Sequence, residues 1–489
     1  MQKVIILNKI TDWPFQSPDV EIVTALEYLT STKWTNTRNV QVFNFCKNMG
    51  YQSNGYYVSL LAEARRHRVI PSVTTIQDIK TKSVVKVMST ELTELIQTSF
   101  KRIKSDQFVL SVYFGHNLSK QHDKLARELY TLFKTPLLRA KFKFTDKWYL
   151  QSLSQLTLKD ISPQHLDFVQ NVSEAYFRKE RYYYQKKDKL IFDLAILHNP
   201  LEKSPPSNEK ALQKFVAVAQ DEGFYTEMIT KDDYHRLAEF NALLIRETTA
   251  VNHHTYRFAR RAHADGLIVI DDPVSILRCA NKVYLAEILT KAKVLSPKTM
   301  ILQQAKTDEI ISNLGLPVVL KQPDSAFSLG VKKAETREEL EQFATAMLKE
   351  SELIIAQEYM PTDFDWRIGV LNGEVLYACK YFMALGHWQI YNWAGKNEDI
   401  EGEFESVPVK EVPDKIKDAA LKVTNLIGNG LYGVDIKVSG GRAFVIEVND
   451  NPNLDAGVED QILNDELYRR IILTLKTRVE QSMNLTHAS

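Results

Sequence analysis

Cysteine is scarce in this chain. Cys46, Cys279 and Cys379 are the three among 489 residues, and none belongs to a CxxC pair. This excludes a disulfide scaffold and a cysteine-built structural zinc site, and it fits a reducing, cytoplasmic setting. An excess of one charge is lacking too. Lysine and arginine number 62 against 61 acids, a net charge of +1, so bulk charge provides no sequence-independent grip on nucleic acid. No run approaches the ~18 apolar residues of a membrane span, and the start at Met1 to Leu7 is too short for a signal peptide. No repeat of fixed period and no low-complexity tract is visible. A Walker A loop is missing, since the pair Gly395-Lys396 lacks both the upstream glycine and the following Ser or Thr. HExxH is missing as well. The adjacent His253-His254 face different ways on any regular element, which makes them a poor metal pair and a structural one by preference.

What is present is the balance of a soluble globular chain, 44% hydrophobic and 25% charged, long enough for roughly three domains of about 150 residues. The first stretch, 1–189, reads as a mixed α/β module. Ser53 or Asn54 caps a helix whose apolar Tyr57, Leu60, Leu61 and Ala64 follow i, i+3, i+4, i+7 spacing. The basic cluster Arg65-Arg66-His67-Arg68 falls in its last turn. Residues 108–114 read as a buried strand, and Ser162-Pro163 as a helix start. The interleaved basic and aromatic run 178–187 is either a stacking surface for single-stranded nucleic acid or, by preference, a solvated helix with half-buried tyrosines. It marks a boundary. In 190–275 the short apolar runs 190–197, 242–245 and 267–270 predict a small, open, mostly parallel sheet. Residues 276–480 carry the chemistry, and 481–489 form a tail.

Gly428-Asn429-Gly430-Leu431-Tyr432-Gly433 matches GxGxxG. A dinucleotide site needs a strand before the glycines and a helix after them. Here 414–427 is helix-like and 434–438 strand-like, so the glycines end a helix. The next strand, 443–449, places Glu447 and Asn449 on one face. A three-residue loop, 440–442, sets Asp435 opposite Glu447, whereas a two-residue Gly440-Gly441 turn pairs Asp435 with Ile446. The odd loop is therefore expected. Two carboxylates and an amide oxygen in an otherwise apolar hairpin suit Mg²⁺, and without an ion they repel one another. The alternative, solvated surface acids, conflicts with Val434, Ile436, Val445 and Val448 around them.

Residues 316–320 read as a strand delivering Lys321. They are followed by a loop of small and hydroxyl residues closed by Gly330, suited to presenting N–H groups to phosphate. Lys282 follows Asn281 at a helix start. Backbone groups near Glu358 and Tyr359 offer an amide-like edge to adenine, with an acid nearby for the ribose. Asn372-Gly373 signals a hairpin.

Taken together, Asn281-Lys282, Lys321, Gln357-Glu358-Tyr359, Asp365-Trp366-Arg367, Gly433-Val434-Asp435-Ile436 and Ile446-Glu447-Val448-Asn449 with Asn451-Pro452 make residues 275–480 resemble the RimK-like branch of the ATP-grasp superfamily, the ribosomal-protein glutamate ligases and their relatives. Residues 190–275 resemble the preceding pre-ATP-grasp domain, and 1–189 an N-terminal module attached to some RimK-like proteins. The resemblance implies α/β and α+β architecture, with two α+β subdomains in the ATP-grasp part. It implies an ADP-forming carboxylate–amine ligase that works through an acyl phosphate. An amino acid such as glutamate would be joined to a protein, peptide or small-molecule carboxylate in the cytoplasm, with no membrane and no strong nucleic-acid signal. Lys282 and Lys321 would hold phosphates. Gln357, Glu358, Tyr359 and Asp365 would bind the ATP nucleotide. Asp435, Glu447 and Asn449 would hold two Mg²⁺ or Mn²⁺ ions, and Arg367, with Lys321, would act on the reacting groups. Relatives commonly self-associate, so a homo-oligomer fits. Two other readings stay open: phosphate transfer to a hydroxyl acceptor, and a non-catalytic ATP-binding module. The stretch after Lys380, with His387 and Trp388, departs from the glutamate ligases, and Trp388 belongs either to a substrate pocket or to the core.

Overall fold

The computed structural model describes residues 2–17, 20–81, 85, 89–178, 192–324, 330–384, 387–390 and 402–483. Most of the run 178–187, the middle of the loop before Gly330, and Gly395-Lys396 lie outside the described residues. The chain divides into two compact units, Met1–Asp188 with Met483–Ser489, and Lys189–Ser482.

The first unit holds a parallel sheet in the spatial order Glu21–Thr24, Gln2–Leu7, Val40–Asn44, Arg68–Ile70. Val40–Asn44 is buried along its whole length, as a parallel strand covered on both faces must be. The helix capped by Ser53 spans Asn54–Ala64, but it buries a different face from the one expected. Gly55, Val58, Ser59 and Ala62 point inward, while Tyr57 and Leu60 are exposed. The small face wins because the helix lies tight on the sheet. The Asn44 amide donates to the Gly55 carbonyl and the Ser59 hydroxyl, and a Cβ on Gly55 would stand 2.4 Å from the Asn48 carbonyl oxygen. The basic cluster also falls past the helix. Arg65 is its C-cap and donates to the carbonyls of Tyr28 and Leu29, whereas His67 is buried between Tyr28 Oη and the Thr37 carbonyl. A second, antiparallel sheet orders Gln107–Tyr113, Leu137–Phe144, Trp148–Gln155. Its first strand is an edge strand with alternating exposure, so it is half-buried where full burial was expected.

The second unit opens on four parallel strands in the order Ile268–Ile270, Ala242–Ile245, Phe192–Leu197, Phe224–Ile229. The structure thereby reveals a repeat that the sequence hides. In order of chain, both parallel sheets run second, first, third, fourth. The elements Asn54–Ala64, Arg68–Ile70 and Val73–Lys80 recur 200 residues later as His254–Ala264, Ile268–Ile270 and Pro273–Ala280. Between 51–80 and 251–280 six positions are identical: Tyr56, Ala62, Ala64, Val69, Ile70 and Ile76 match Tyr256, Ala262, Ala264, Val269, Ile270 and Ile276. So few matches leave no visible period.

Two antiparallel sheets follow. One orders Thr299–Leu302, Ile354–Glu358, Val318–Lys321, Val331–Ala334, and the other Phe404–Val407, Glu374–Phe382, Phe364–Leu371, Leu431–Ser439, Arg442–Asn449. Asn372 and Gly373, both at positive φ, make the expected hairpin turn. Helix Asp414–Ile427 buries Ile416, Ala420, Val423 and Ile427 in the core beneath the larger sheet. This is the mixed α/β multidomain architecture read from the sequence.

Candidate active site

The carboxylate hairpin reaches its register by a route other than the one expected. Ser439 pairs with Arg442, so the turn is the two-residue Gly440-Gly441, with φ of 53° and 73°. That register alone would oppose Asp435 to Ile446. A β-bulge intervenes between Asp435 and Ile436 and brings Asp435 opposite Glu447, with Gly433 opposite Asn449. One extra residue on the returning strand does what an odd loop would have done, and bulges recur beside functional sites.

Around the bulge, charges alternate from strand to strand. Arg367 pairs with Asp435 in register, and its guanidinium grips the carboxylate with two nitrogens. One step along, Lys437 pairs with Asp365 and also donates to Thr362 Oγ1. On the other side, Lys282 Nζ meets Glu447 Oε1 at 2.7 Å. Asn449 Nδ2 reaches Asp435 Oδ2 at 3.4 Å. Burial pushes the Asp435 carboxyl up, against the pull of Arg367. Burial also acts to raise Glu447, but Lys282 and Lys321 outweigh it and hold that carboxyl below its usual range.

Gly433, the third glycine of the GxGxxG run, has a packing role. A Cβ there would stand 2.7 Å from Pro452 Cβ and 3.0 Å from Arg367 Cδ. Its absence lets the arginine stem lie flat beside Asp435. The run does end a helix, at Ile427.

The small sheet supplies the second set of groups. Lys321 donates to Gln357 Oε1 at 2.7 Å, and Gln357 Nε2 donates to Thr299 Oγ1. Burial lowers the Lys321 ammonium to about 8. Glu358 is tied to Lys298, donating its N–H to the carbonyl and accepting the Lys298 N–H on Oε1, each at 2.9 Å. Tyr359 packs edge-on against Trp388, with ring centroids 6.0 Å apart.

Two cavities meet at the carboxylates. The first, with about 820 Å³ of empty space, is lined by Lys321, Gln357, Glu358, Tyr359, Asp365 and Lys437, with Trp388 at its edge. The second, about 1640 Å³, is lined by Arg367, Asn449 and Asp450 together with the 248–252 loop. Lys282, Asp435 and Glu447 line both. All ten expected site residues therefore line one or both of these cavities, and Trp388 lines the first. His254 pairs with the buried Glu247 at 2.8 Å. Burial raises Asp450 to about 6.

Three contributors escaped the sequence reading. Lys437 was legible, because it sits two residues from Asp435 and so shares its strand face. Asp450 adjoins Asn449 but had no pattern to single it out. Arg246, fully buried, donates to Ser207, Asn451 Oδ1, and the carbonyls of Pro206 and Pro452. Only the fold brings 246 to 451.

The donor set fits a hard divalent ion: two carboxylates and an amide oxygen at the junction of two open cavities, with no sulfur among them. Glu447 acts to raise the Asp435 carboxyl, a repulsion that a cation relieves.

Residues 279–465 match the model of the RimK-like ATP-grasp domain, and residues 25–172 that of the RimK-like ATP-grasp N-terminal domain. A probable alpha-L-glutamate ligase 2 of Pseudoalteromonas atlantica is 27% identical over 227 residues, 46% of this chain and 72% of the relative. A coenzyme gamma-F420-2:alpha-L-glutamate ligase of Methanococcus maripaludis is 27% identical over 206 residues, 40% of this chain and 68% of the relative. An alpha-aminoadipate–LysW ligase LysX of Sulfolobus acidocaldarius is 25% identical over 193 residues, 38% of this chain and 66% of the relative. ATP-grasp ligases use ATP with divalent metals, and the chain carries an N-terminal domain and an ATP-grasp domain that match the RimK-like family models.

Proposed function

We propose that this protein joins an amine to a carboxylate through an acyl phosphate, with an amino acid as the amine and a peptide, protein or small-molecule carboxylate as its partner. The observation that carries this reading is the Asp435–Glu447 pair, with Asn449 beside it, at the junction of a lysine-lined cavity and a second cavity. The first cavity takes ATP: Tyr359 and Trp388 flank the base, Asp365 the ribose, and Lys282 and Lys321 the phosphates. Asp435, Glu447 and Asn449 are the residues that would hold two Mg²⁺ or Mn²⁺ ions, whose chemistry is to neutralise the phosphoryl oxygens during transfer.

The sequence of bonds follows from the chemistry. A substrate carboxylate oxygen attacks the γ-phosphorus, an O–P bond forms, and ADP leaves. An amine nitrogen then attacks the acyl carbon. The C–N bond forms, the C–O bond to phosphate breaks, and phosphate departs as one proton is released and another is carried on it. Arg367, beside Asp435, faces the second cavity and steadies the acyl phosphate oxygens. No protein nucleophile is needed. Three buried free thiols and the lack, among the described residues, of any helix long and apolar enough to cross a membrane support a cytoplasmic setting.

The test is hydroxylamine trapping with purified protein, Mg²⁺-ATP and pooled carboxylates. A hydroxamate and stoichiometric ADP support the reading. Phosphate on a hydroxyl acceptor, or nucleotide binding without any ADP, overturns it.

A further inference from the structure

Outside the carboxylate hairpin, one group of metal-type side chains among the described residues brings three ligand atoms together. Glu247, His253 and His254 offer a carboxylate oxygen and two ring nitrogens within 4.8 Å of one another. None of the three lines either cavity. Adjacent histidines diverge on a regular element, but here the helix boundary falls between them. His253 is the extended residue before helix His254–Ala264, and His254 is the first residue inside it. Their ring centroids lie 3.9 Å apart.

The donors are poised for an ion. Glu247 is 2% exposed, yet its Oε2 has no hydrogen-bond partner, and a buried carboxylate oxygen left this way is costly unless a cation meets it. His254 Nε2 stands 2.8 Å from Glu247 Oε1 but out of line for a hydrogen bond, so this nitrogen also lacks one. His253 is held in the right tautomer. Thr255 Oγ1 donates to the Thr248 carbonyl, so it accepts from His253 Nδ1–H at 3.1 Å, which leaves Nε2 of the neutral ring with a free lone pair. Ligand atoms on one tetrahedral zinc ion stand roughly 3.3 Å apart, so modest side-chain rotation gathers the three around one ion.

The internal repeat provides a control within the molecule. At the 200-residue offset, Glu247, His253 and His254 correspond to Lys47, Ser53 and Asn54. In the first unit Ser53 caps its helix, its hydroxyl accepting the Tyr56 N–H. His253 makes no side-chain cap and so forgoes that stabilisation. The fold does not require the histidines, and a residue that weakens its own helix is a candidate for function.

We propose that Glu247, His253 and His254 bind one zinc-type divalent ion, with a fourth position left for water or another ligand. Two imidazoles and a carboxylate favour Zn²⁺ over the Mg²⁺ suited to the all-oxygen hairpin. Glu247 and His253 bracket residues 248–252, which line the second cavity. One ion on both closes this loop at its two ends and holds that cavity wall in place. The proposal does not depend on the ligase reading.

Calorimetric titration of the full, untagged, metal-stripped chain with Zn²⁺ in excess Mg²⁺ tests it. One equivalent of Zn²⁺ is expected to bind and to slow amide hydrogen exchange over 248–252. Glu247→Gln and His254→Ala are expected to weaken Zn²⁺ binding at least tenfold, whereas Asp435→Asn should leave it unchanged. His253→Ser restores the helix cap, so its metal-free Tm should rise while the Zn²⁺-dependent rise in Tm is lost; this variant keeps the test sound if the other two fail to fold. Co²⁺ in place of Zn²⁺ should give visible absorption bands in the wild type that His253→Ser lacks. Failure to bind Zn²⁺, leaving only an ion pair between Glu247 and protonated His254, overturns the proposal. So does a Zn²⁺ affinity unchanged in the three variants or lost in Asp435→Asn. Zn²⁺ binding without slower exchange over 248–252 overturns the loop clamp.

Discussion

Single side chains carry the sharpest expectations. Asp435→Asn and Glu447→Gln each remove a metal-type donor while keeping size and hydrogen bonding, so ADP formation should fall by roughly two to four decades with an unchanged circular dichroism spectrum. Wild-type turnover in either variant would contradict the assignment. Lys321 offers a pH signature. Its ammonium, lowered to about 8 by burial, is charged below that pH and neutral above it. Nucleotide affinity should therefore weaken as pH rises through about 8, and Lys321→Met should lose that dependence along with most of the affinity. Fluorescence titration across about pH 6 to 10 (roughly two decades of proton concentration either side of the midpoint) reads both. At this scale the sequence was legible where strand alternation applies: Asp435, Glu447, Asn449 and, in retrospect, Lys437. It was illegible for Arg246 and Asp450, whose meaning depends on partners far away in the chain.

Elements show where local rules compete. The hairpin turn obeys the strong Gly-Gly preference for a two-residue turn, and the functional register is recovered by a bulge instead. Gly440 and Gly441 sit at positive φ with open space around their missing Cβ atoms. Gly441→Val should thus cost roughly 1–2 kcal/mol from backbone strain alone, seen as a lower Tm, with nucleotide binding largely kept below the new Tm. Gly433→Val is different, because its side chain would collide with Pro452 and the Arg367 stem. It should displace Arg367 and cut turnover more than stability, a contrast that paired kinetic and melting data on the two variants will read. The helix Asn54–Ala64 teaches a related lesson. Spacing selected its large apolar residues, but close packing on the sheet favoured Gly55, Ser59 and Ala62, since small residues let backbones approach.

On the scale of the whole molecule, buried charge links stability to pH. Glu459 is 2% exposed, accepts from Tyr381 Oη and the Asp455 N–H, and burial pushes it up from 4.5 to about 7. Its folded value lies above its unfolded one, so its contribution is complete below pH 4.5 and is lost as pH rises through about 7. Glu459→Gln should flatten the fall in Tm over that window, and an unchanged slope would argue against it.

The sequence by itself determined the small parallel sheet of 190–275, the two hairpins of the C-terminal part and the identity of the acids and lysines, because these depend on spacing within about ten residues and on period-two or period-3.6 burial. Tertiary structure alone decided the bulge that opposes Asp435 to Glu447, the hidden duplication of the parallel sheet, and the meeting of Arg246 and Thr249 with residues 450–452. The last of these depends on contacts between segments some two hundred residues apart, a distance over which no local pattern carries information.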